Sequence, residues 1–154
     1  MQNAGGTNED ANATGDLDVN GSLTITGNGS ANTIIQGGTT AANGIDKVFA
    51  FNPLCVTPMA FTVSGLTIRF GRNTQPFGAA DFSFSGGGLD FCGSGNAGSS
   101  FSMSNCVITQ NTNVNAYGGG MNIDEAFPAM STITNKHQQH HGRKQPGRRF
   151  RRRH

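Results

Sequence analysis

Apolar and polar residues alternate in short clusters along residues 1–135, with the two-residue period of a β-strand. The segments Phe61-Thr-Val-Ser-Gly-Leu-Thr-Ile68 and Phe101-Ser-Met-Ser-Asn-Cys-Val-Ile108 match position for position. Each has two apolar residues at alternate positions, then glycine or asparagine, then two more apolar residues. Glycine and asparagine tolerate the left-handed backbone of a corner, so each segment can bend there and line one interior with both apolar pairs.

Related stretches occur throughout the same region. They are Leu23–Thr26, Thr33–Gln36, Lys47–Phe51, two triple glycines followed by short apolar strands at Gly86–Phe91 and Gly118–Ile123, and Ser131–Asn135. No stretch shows the i, i+3, i+4, i+7 spacing of an amphipathic helix. The pattern predicts an all-β domain at 15–135, a right-handed single-stranded parallel β-helix (solenoid) whose repeats stack like residue on like residue. Phe61 should then lie over Phe101, and Ile68 over Ile108.

Charge divides the chain near residue 135. Residues 1–135 contain three cations and all nine acidic residues, a balance of 3 − 9 = −6. Residues 136–154 contain the other eight cations, all four histidines and no acid, which gives +8. We therefore predict a flexible arm at 1–14 and a disordered basic tail at 136–154 that is foreign to the repeats.

The tail allows two interpretations. Shifting its reading frame by one nucleotide permits codons that spell another repeat ending in three glycines, so we predict an out-of-frame translation, which the DNA sequence would test. Its arginines could also bind nucleic acid non-specifically through phosphates, incidentally or as a function. The residues concerned are Arg148, Arg149, Arg151, Arg152 and Arg153.

The strings Glu9–Val19, Leu23–Gly27, Thr33–Ile35 and Val63–Arg69, together with the triple glycines, resemble bacterial secreted β-helix repeat proteins. These are of the CSLREA-domain and choice-of-anchor type and are also similar to polymorphic outer-membrane protein repeats. The resemblance covers roughly residues 8–135. The family's opening Cys-Ser-Leu-Arg-Glu-Ala segment, a signal peptide and a surface anchor are not found in this sequence. We therefore expect a truncated member of that family.

The resemblance implies a secreted or cell-surface location for the parent family and a structural or adhesive repeat module without catalytic activity of its own. A polysaccharide or another cell-surface polymer is the expected partner, and no cofactor is expected. No apolar run is long enough for a membrane span. Truncated repeat ends leave strand edges and apolar surface unpaired, which favours end-to-end self-association.

A carbohydrate-active, pectate-lyase-like enzyme fragment is the alternative, and it would need clustered carboxylates. The weak catalytic candidates are Asp46, Asp90, Asp124 and Arg69, with Asp81 and Glu125 as further acids. In repeat register Asp90 falls over Asn122 and not over another acid, so we interpret these acids as solvated corner residues. Calcium at one corner is kept as an alternative. Because all histidines lie in the tail, no Ser-His-Asp or Cys-His set can form in the repeats.

The cysteines and hydroxyl residues leave open questions. Cys55, Cys92 and Cys106 are an odd number, which favours buried free thiols, while a Cys92–Cys106 bridge stays open. Outward threonines and serines are interpreted as soluble strand positions. The alternative is that they form hydroxyl ladders that bind ice or sugar. The segments concerned are Thr24–Thr26, Thr62–Ser64 and Ser102–Ser104.

Overall fold

The alternating pattern produces short strands throughout the computed structural model, which describes residues 15–76, 85–93, 98–124 and the backbone of 132–134. The strands are β1 Leu17–Val19, β2 Leu23–Thr26, β3 Ile34–Gln36, β4 Phe49–Phe51, β5 Ala60–Ser64, β6 Thr67–Arg69, β7 Arg72–Asn73, β8 Leu89–Cys92, β9 Ser100–Ser104, β10 Val107–Thr109, β11 Thr112–Asn113, β12 Met121–Asp124 and β13 Thr132–Thr134. Every regular element in these ranges is a strand, which confirms the all-β class. The predictions for the arm at 1–14 and the tail at 136–154 lie outside the described residues.

Successive segments of the chain, here called repeats, each add one strand to several sheets. The strand orders are β1-β4-β8-β12, β2-β5-β9-β13, β3-β6-β10 and β7-β11, and all pairs are parallel. Parallel neighbours need a long crossover connection. The connections from β4 to β8 and from β8 to β12 each contain one strand of every other sheet, so the second and third repeats contribute to all four sheets.

The registers confirm the predicted stacking. Phe61 pairs with Phe101, and Ile68 pairs with Ile108. The hydroxyl ladders are also in register, since Thr24, Thr62 and Ser102 are successive partners, as are Thr26, Ser64 and Ser104. A one-residue slip would turn every apolar side chain to the wrong face, so the alternation fixes this register.

The corner after β5 explains why glycine or asparagine recurs there. Gly65 has φ 65° and Asn105, one repeat later, has φ 52°. A Cβ at Gly65 would lie 2.7 Å from the carbonyl oxygen of Gly27 in the preceding repeat. The corner therefore needs both a left-handed backbone and close approach of neighbouring repeats.

Phenylalanines form the centre of the core between the sheets. The rings of Phe51 and Phe61 have centroids 4.5 Å apart, and Phe91 lies 5.6 Å from Phe61 and 5.5 Å from Phe101. Each is at most 1 % exposed. Aromatic pairs at these distances stabilise beyond the area they bury, by about 0.5–1.5 kcal/mol each. The core residues are Val48, Phe49, Phe51, Met59, Phe61, Val63, Leu66, Ile68, Leu89, Phe91, Phe101, Met103 and Cys106.

The interpretation of three free thiols is wrong for two of them. Cys55 and Cys92 form a disulfide with a Cα–Cα distance of 5.4 Å, while Cys106 is free and buried as expected. The open Cys92–Cys106 alternative is excluded by this pairing. Register explains the result: Phe51 pairs with Phe91, so the loop after β4 lies beside the end of β8, where Cys92 stands.

Reduction of the Cys55–Cys92 disulfide should lower the free energy of unfolding by about 2–4 kcal/mol. The bond joins residues 37 positions apart and so restricts the unfolded chain. Urea unfolding with and without reductant measures the change. The double variant Cys55→Ser/Cys92→Ser is the control and should not respond to reductant. Equal urea midpoints for the wild-type protein in both conditions would contradict the prediction.

Candidate functional site

The sheet β1-β4-β8-β12 carries polar residues on the face opposite the phenylalanine core. Asp18, Ala50, Asp90 and Asn122 are successive register partners on that face. The residues that alternate with them along β4 and β8 face the core; these are Phe49, Phe51, Leu89 and Phe91. Asp90 is nevertheless only 8 % exposed, so this face is not simply solvated.

Asp90 is held by an amide and an amine. The Nδ2 of Asn122 donates a 2.9 Å hydrogen bond to its Oδ1, and the Nζ of Lys47 lies 3.8 Å from its Oδ2. Burial raises the pKa of Asp90 to about 6; Lys47 and the Asn122 hydrogen bond oppose the rise, and the negative charge of Asp124 adds to it. A larger fraction of Asp90 is therefore protonated at mildly acidic pH than of an exposed aspartate.

A pocket of about 220 Å³ opens beside Asp90. Its lining residues are Ser85, Asp90, Cys92, Tyr117, Asn122, Ile123 and Asp124. Tyr117 is 61 % exposed, and Asp124 is exposed as well. The pocket is smaller than the roughly 300–1,000 Å³ of drug-sized sites, and it combines one aromatic ring with carboxylate, amide and hydroxyl groups.

The triple-glycine turns place Tyr117 in this pocket. The Nδ2 of Asn113 and the backbone amide of Gly86 both donate to the carbonyl oxygen of Tyr117, at 2.8 Å and 3.1 Å. Gly118 follows with φ 70°, as Gly86 does one repeat earlier with φ 68°. The stacked glycine turns thus fix the backbone of Tyr117 while its ring remains exposed.

The weak catalytic candidates do not form one group. Asp90 and Asp124 line the same pocket, but Asp46 does not line it and is fully buried, accepting a 2.8 Å hydrogen bond from the backbone amide of Lys47. Arg69 lies on β6 in another sheet and donates from Nε and Nη2 to the Oε1 of Gln36 at 3.0 Å and 2.9 Å. Arg69 is thus occupied away from the pocket.

The interpretation of the acids as solvated corners is wrong for Asp46 and Asp90, which are buried; Asp124 is exposed, but it is the last residue of strand β12. Lys47 explains why acids can be buried here. Its side chain is only 2 % exposed, and its positive charge lies next to the buried Asp90 carboxylate. Asp81 and Glu125 lie outside the described residues.

A second acidic position, Asp16, was not singled out from the sequence. It is 7 % exposed, and neither carboxylate oxygen has a hydrogen-bond partner beyond the residue's own amide. The pKa of Asp16 is raised to about 8, mainly by burial; the negative charges of Asp46 and Asp18 contribute to the rise, and Lys47 opposes it. A cavity of about 20 Å³ between Asp16 and Lys47 has room for roughly one water molecule.

Sequence signals could have pointed to two of the overlooked residues. Tyr117 is the only tyrosine of the chain and directly precedes a triple glycine. Lys47 is the only lysine before residue 136, and it follows an acid directly before an apolar strand. The burial of Asp16 has no comparable signal, because its short polar surroundings are typical of a solvated turn.

Other candidate chemistry finds no support in the described ranges. There, no group of three or more His, Cys, Asp or Glu residues is arranged to hold a metal ion, and calcium at one corner stays an untested alternative. Within the same ranges no helix is long and apolar enough to cross a membrane. The tail arginines Arg148 to Arg153 lie outside these residues, and nucleic-acid binding stays a prediction. Comparisons with protein-family models, with curated proteins and with solved structures found no match to this chain.

Proposed function

We propose that the chain is a segment of a right-handed parallel β-helix that serves as a structural and adhesive surface module and binds a sugar polymer through the Tyr117 pocket. The observation that carries the binding proposal is the pocket itself, in which an exposed aromatic ring adjoins the Asn122–Asp90 pair. The parallel sheets, each receiving one strand per repeat, support the solenoid. A right-handed path is the rule for parallel crossovers.

The chemistry of the pocket favours a neutral sugar unit. A tyrosine ring offers an apolar face to the C–H face of a pyranose, while carboxylate and amide oxygens accept from its hydroxyl groups. Asp90 and Asp124 would repel the carboxylates of an acidic polysaccharide. The Cys55–Cys92 disulfide supports a secreted or cell-surface location, because such bonds persist in oxidising compartments.

Replacing Tyr117 with alanine should weaken binding to a soluble neutral glucan about five- to tenfold, as expected when one aromatic contact is lost. Affinity electrophoresis with the glucan in the gel measures this, with polygalacturonate gels as the acidic comparison. Val114→Ala, at a 47 % exposed apolar position outside the pocket lining, is the matched control. Equal retardation of wild-type and Tyr117→Ala protein, or no retardation of either, would refute the proposal.

Glycan cleavage is a second candidate, favoured by the raised pKa of Asp90 beside the exposed Asp124. Glycoside hydrolysis uses one protonated carboxylic acid and one carboxylate flanking the bond to be broken. The same glucan incubations can be assayed for new reducing ends. Release that disappears in Asp90→Asn would favour the enzyme, and absence of release would favour the binding module.

A further inference from the structure

One wall of the Tyr117 pocket is attached to a loop of the preceding repeat by the disulfide. Cys92 lines the pocket, and its side chain is bonded to that of Cys55, 37 positions earlier in the chain. Cys92 stands two residues after Asp90 on β8, so both side chains lie on the same side of the sheet. Asp124, the register partner of Cys92 on β12, lines the pocket as well. A movement of Cys92 would therefore change the surface that a bound sugar contacts.

Residues 52–57, here called the 52–57 loop, have exposed apolar side chains at their centre. Leu54 is 56 % exposed and Val56 is 66 % exposed, so neither side chain packs into the core. Asn52 is buried at the start of the loop, and its Nδ2 donates a 2.8 Å hydrogen bond to the carbonyl oxygen of Cys92. The disulfide thus attaches the centre of the loop to β8, beyond the hydrogen bond at its start.

The backbone at Cys55 has a conformation that cysteine disfavours. The φ angle is 54° at Cys55 and 56° at Asn52. Asparagine adopts this left-handed region readily, whereas most other residues bring their Cβ too close to the following carbonyl oxygen. The disulfide restrains Cys55 against this strain. When the bond is broken, Cys55 can return to a negative φ, which moves the 52–57 loop away from β8 and leaves Cys92 without its partner.

We propose that the Cys55–Cys92 disulfide is a redox control of the Tyr117 pocket: the closed bond keeps the pocket in its binding form, and reduction by a small thiol compound weakens sugar binding. This inference rests on the sugar-binding function proposed above. The module would hold its polymer where disulfides persist and release it where small thiols are abundant.

The reduction proceeds by thiol–disulfide exchange at Cys55. Cys55 is half-buried, whereas Cys92 is only 6 % exposed, so the reductant thiolate reaches the sulfur of Cys55 first. The new S–S bond forms there, the bond to Cys92 breaks, and the Cys92 sulfur leaves and takes a proton from solvent. A second thiol group then displaces the sulfur of Cys55 in the same way. The cysteines end as two thiols, and the two reductant thiols end as one disulfide.

Affinity electrophoresis in the soluble neutral glucan, with and without a small dithiol such as dithiothreitol, tests the control. The oxidised wild-type protein should be retarded, and reduction should weaken binding at least about fivefold, the low end for coupled sites, without changing the circular dichroism spectrum. Cys55→Ser/Cys92→Ser should bind like reduced wild type under both conditions. Cys106→Ala is the matched control and should respond to the reductant like wild type, because Cys106 is a free thiol that does not line the pocket.

Thermodynamic linkage gives a second measurement on the wild-type protein. If reduction weakens glucan binding by some factor, bound glucan must shift the thiol–disulfide equilibrium towards the disulfide by the same factor. Alkylation of the thiols after equilibration in glutathione buffers, with and without glucan, measures this shift.

The outcomes separate this inference from the proposed function. Equal retardation of the oxidised and reduced forms, or an equilibrium that glucan does not shift, would overturn the redox control and leave sugar binding standing. Loss of the circular dichroism spectrum on reduction would overturn it as well, because the bond would then hold the whole fold and not the pocket. Absence of retardation in the oxidised protein would refute the proposed function, and this inference with it.

Discussion

Replacing Phe91 with alanine should lower the free energy of unfolding by about 3–5 kcal/mol, the range found for removing a large aromatic side chain from a core. Phe91 is fully buried, and its ring contacts the rings of both Phe61 and Phe101. These partners belong to successive repeats, so the cavity would loosen the stacking between repeats as well as the packing within one. A solenoid depends on such contacts, because no single repeat buries its own apolar face.

Urea unfolding followed by circular dichroism measures the effect of Phe91→Ala. Tyr117→Ala is the matched control, because it removes an aromatic ring that is 61 % exposed, and its urea midpoint should change little. The m-value should stay constant if only stability has changed. A loss of less than about 1 kcal/mol for Phe91→Ala would mean that this phenylalanine cluster is not the core that holds the repeats together.

Stability should fall as the pH rises from about 4 to about 8, with Asp16 as the largest single cause. Its pKa is about 8 in the folded protein against an ordinary value of 3.8. Below pH 4 the carboxyl is protonated in both states and costs nothing. Between the two values the unfolded chain has released the proton while the folded protein retains it, so folding becomes less favourable with each pH step. Above pH 8 the penalty is constant, at roughly 6 kcal/mol for a pKa raised from 3.8 to about 8.

Asp90 contributes in the same direction over a narrower window, from its ordinary value of 3.8 to about 6. The charges around the two acids are Asp18, Asp46, Lys47 and Asp124, and Lys47 is the only cation among them. The fall in stability should therefore be steepest between pH 4 and 6, where both acids act, and continue more gently to pH 8.

Urea midpoints at unit steps from pH 4 to 8 measure this profile. Asp16→Asn should flatten the part between pH 6 and 8 and leave the protein more stable at pH 8. Asp124→Asn is the matched control, because its side chain is exposed, and it should keep the slope due to Asp16. Stability that rises with pH across this range would show that Asp16 is ionised in the folded protein and has a partner there.

The sequence predicted the strands and their registers well. It did not predict the buried charged cluster of Asp46, Lys47 and Asp90. Phe61 and Phe101 stand in two copies of one pattern, so stacking like on like was enough to pair them. The corner residues Gly65 and Asn105 could be predicted because few residues adopt a left-handed backbone. These features depend on local periodicity, which a repeat displays directly.

The buried charged cluster depends on a contact between repeats, that of Lys47 with Asp90, which periodicity does not reveal. Asp90 lies between two core residues of β8 and therefore faces away from the phenylalanine core, where acids are usually solvated. Asp46, Lys47 and Asp90 are nevertheless buried, and the Nζ of Lys47 lies 3.8 Å from the Oδ2 of Asp90 in the next repeat. The Cys55–Cys92 pairing was missed for a related reason, because Cys55 lies in the loop after β4, whose path the strand pattern does not fix.

The burial of Lys47 determines how this protein can be attached to a surface. Its amine is the only lysine side-chain amine before residue 136, and at 2 % exposure beside the Asp90 carboxylate it is shielded from acylating reagents. Amine coupling to a sensor chip or bead will therefore use the α-amino group or the lysines after residue 135. The described strands and the Tyr117 pocket will stay unmodified, so glycans can be screened against the immobilised protein without engineering a tag.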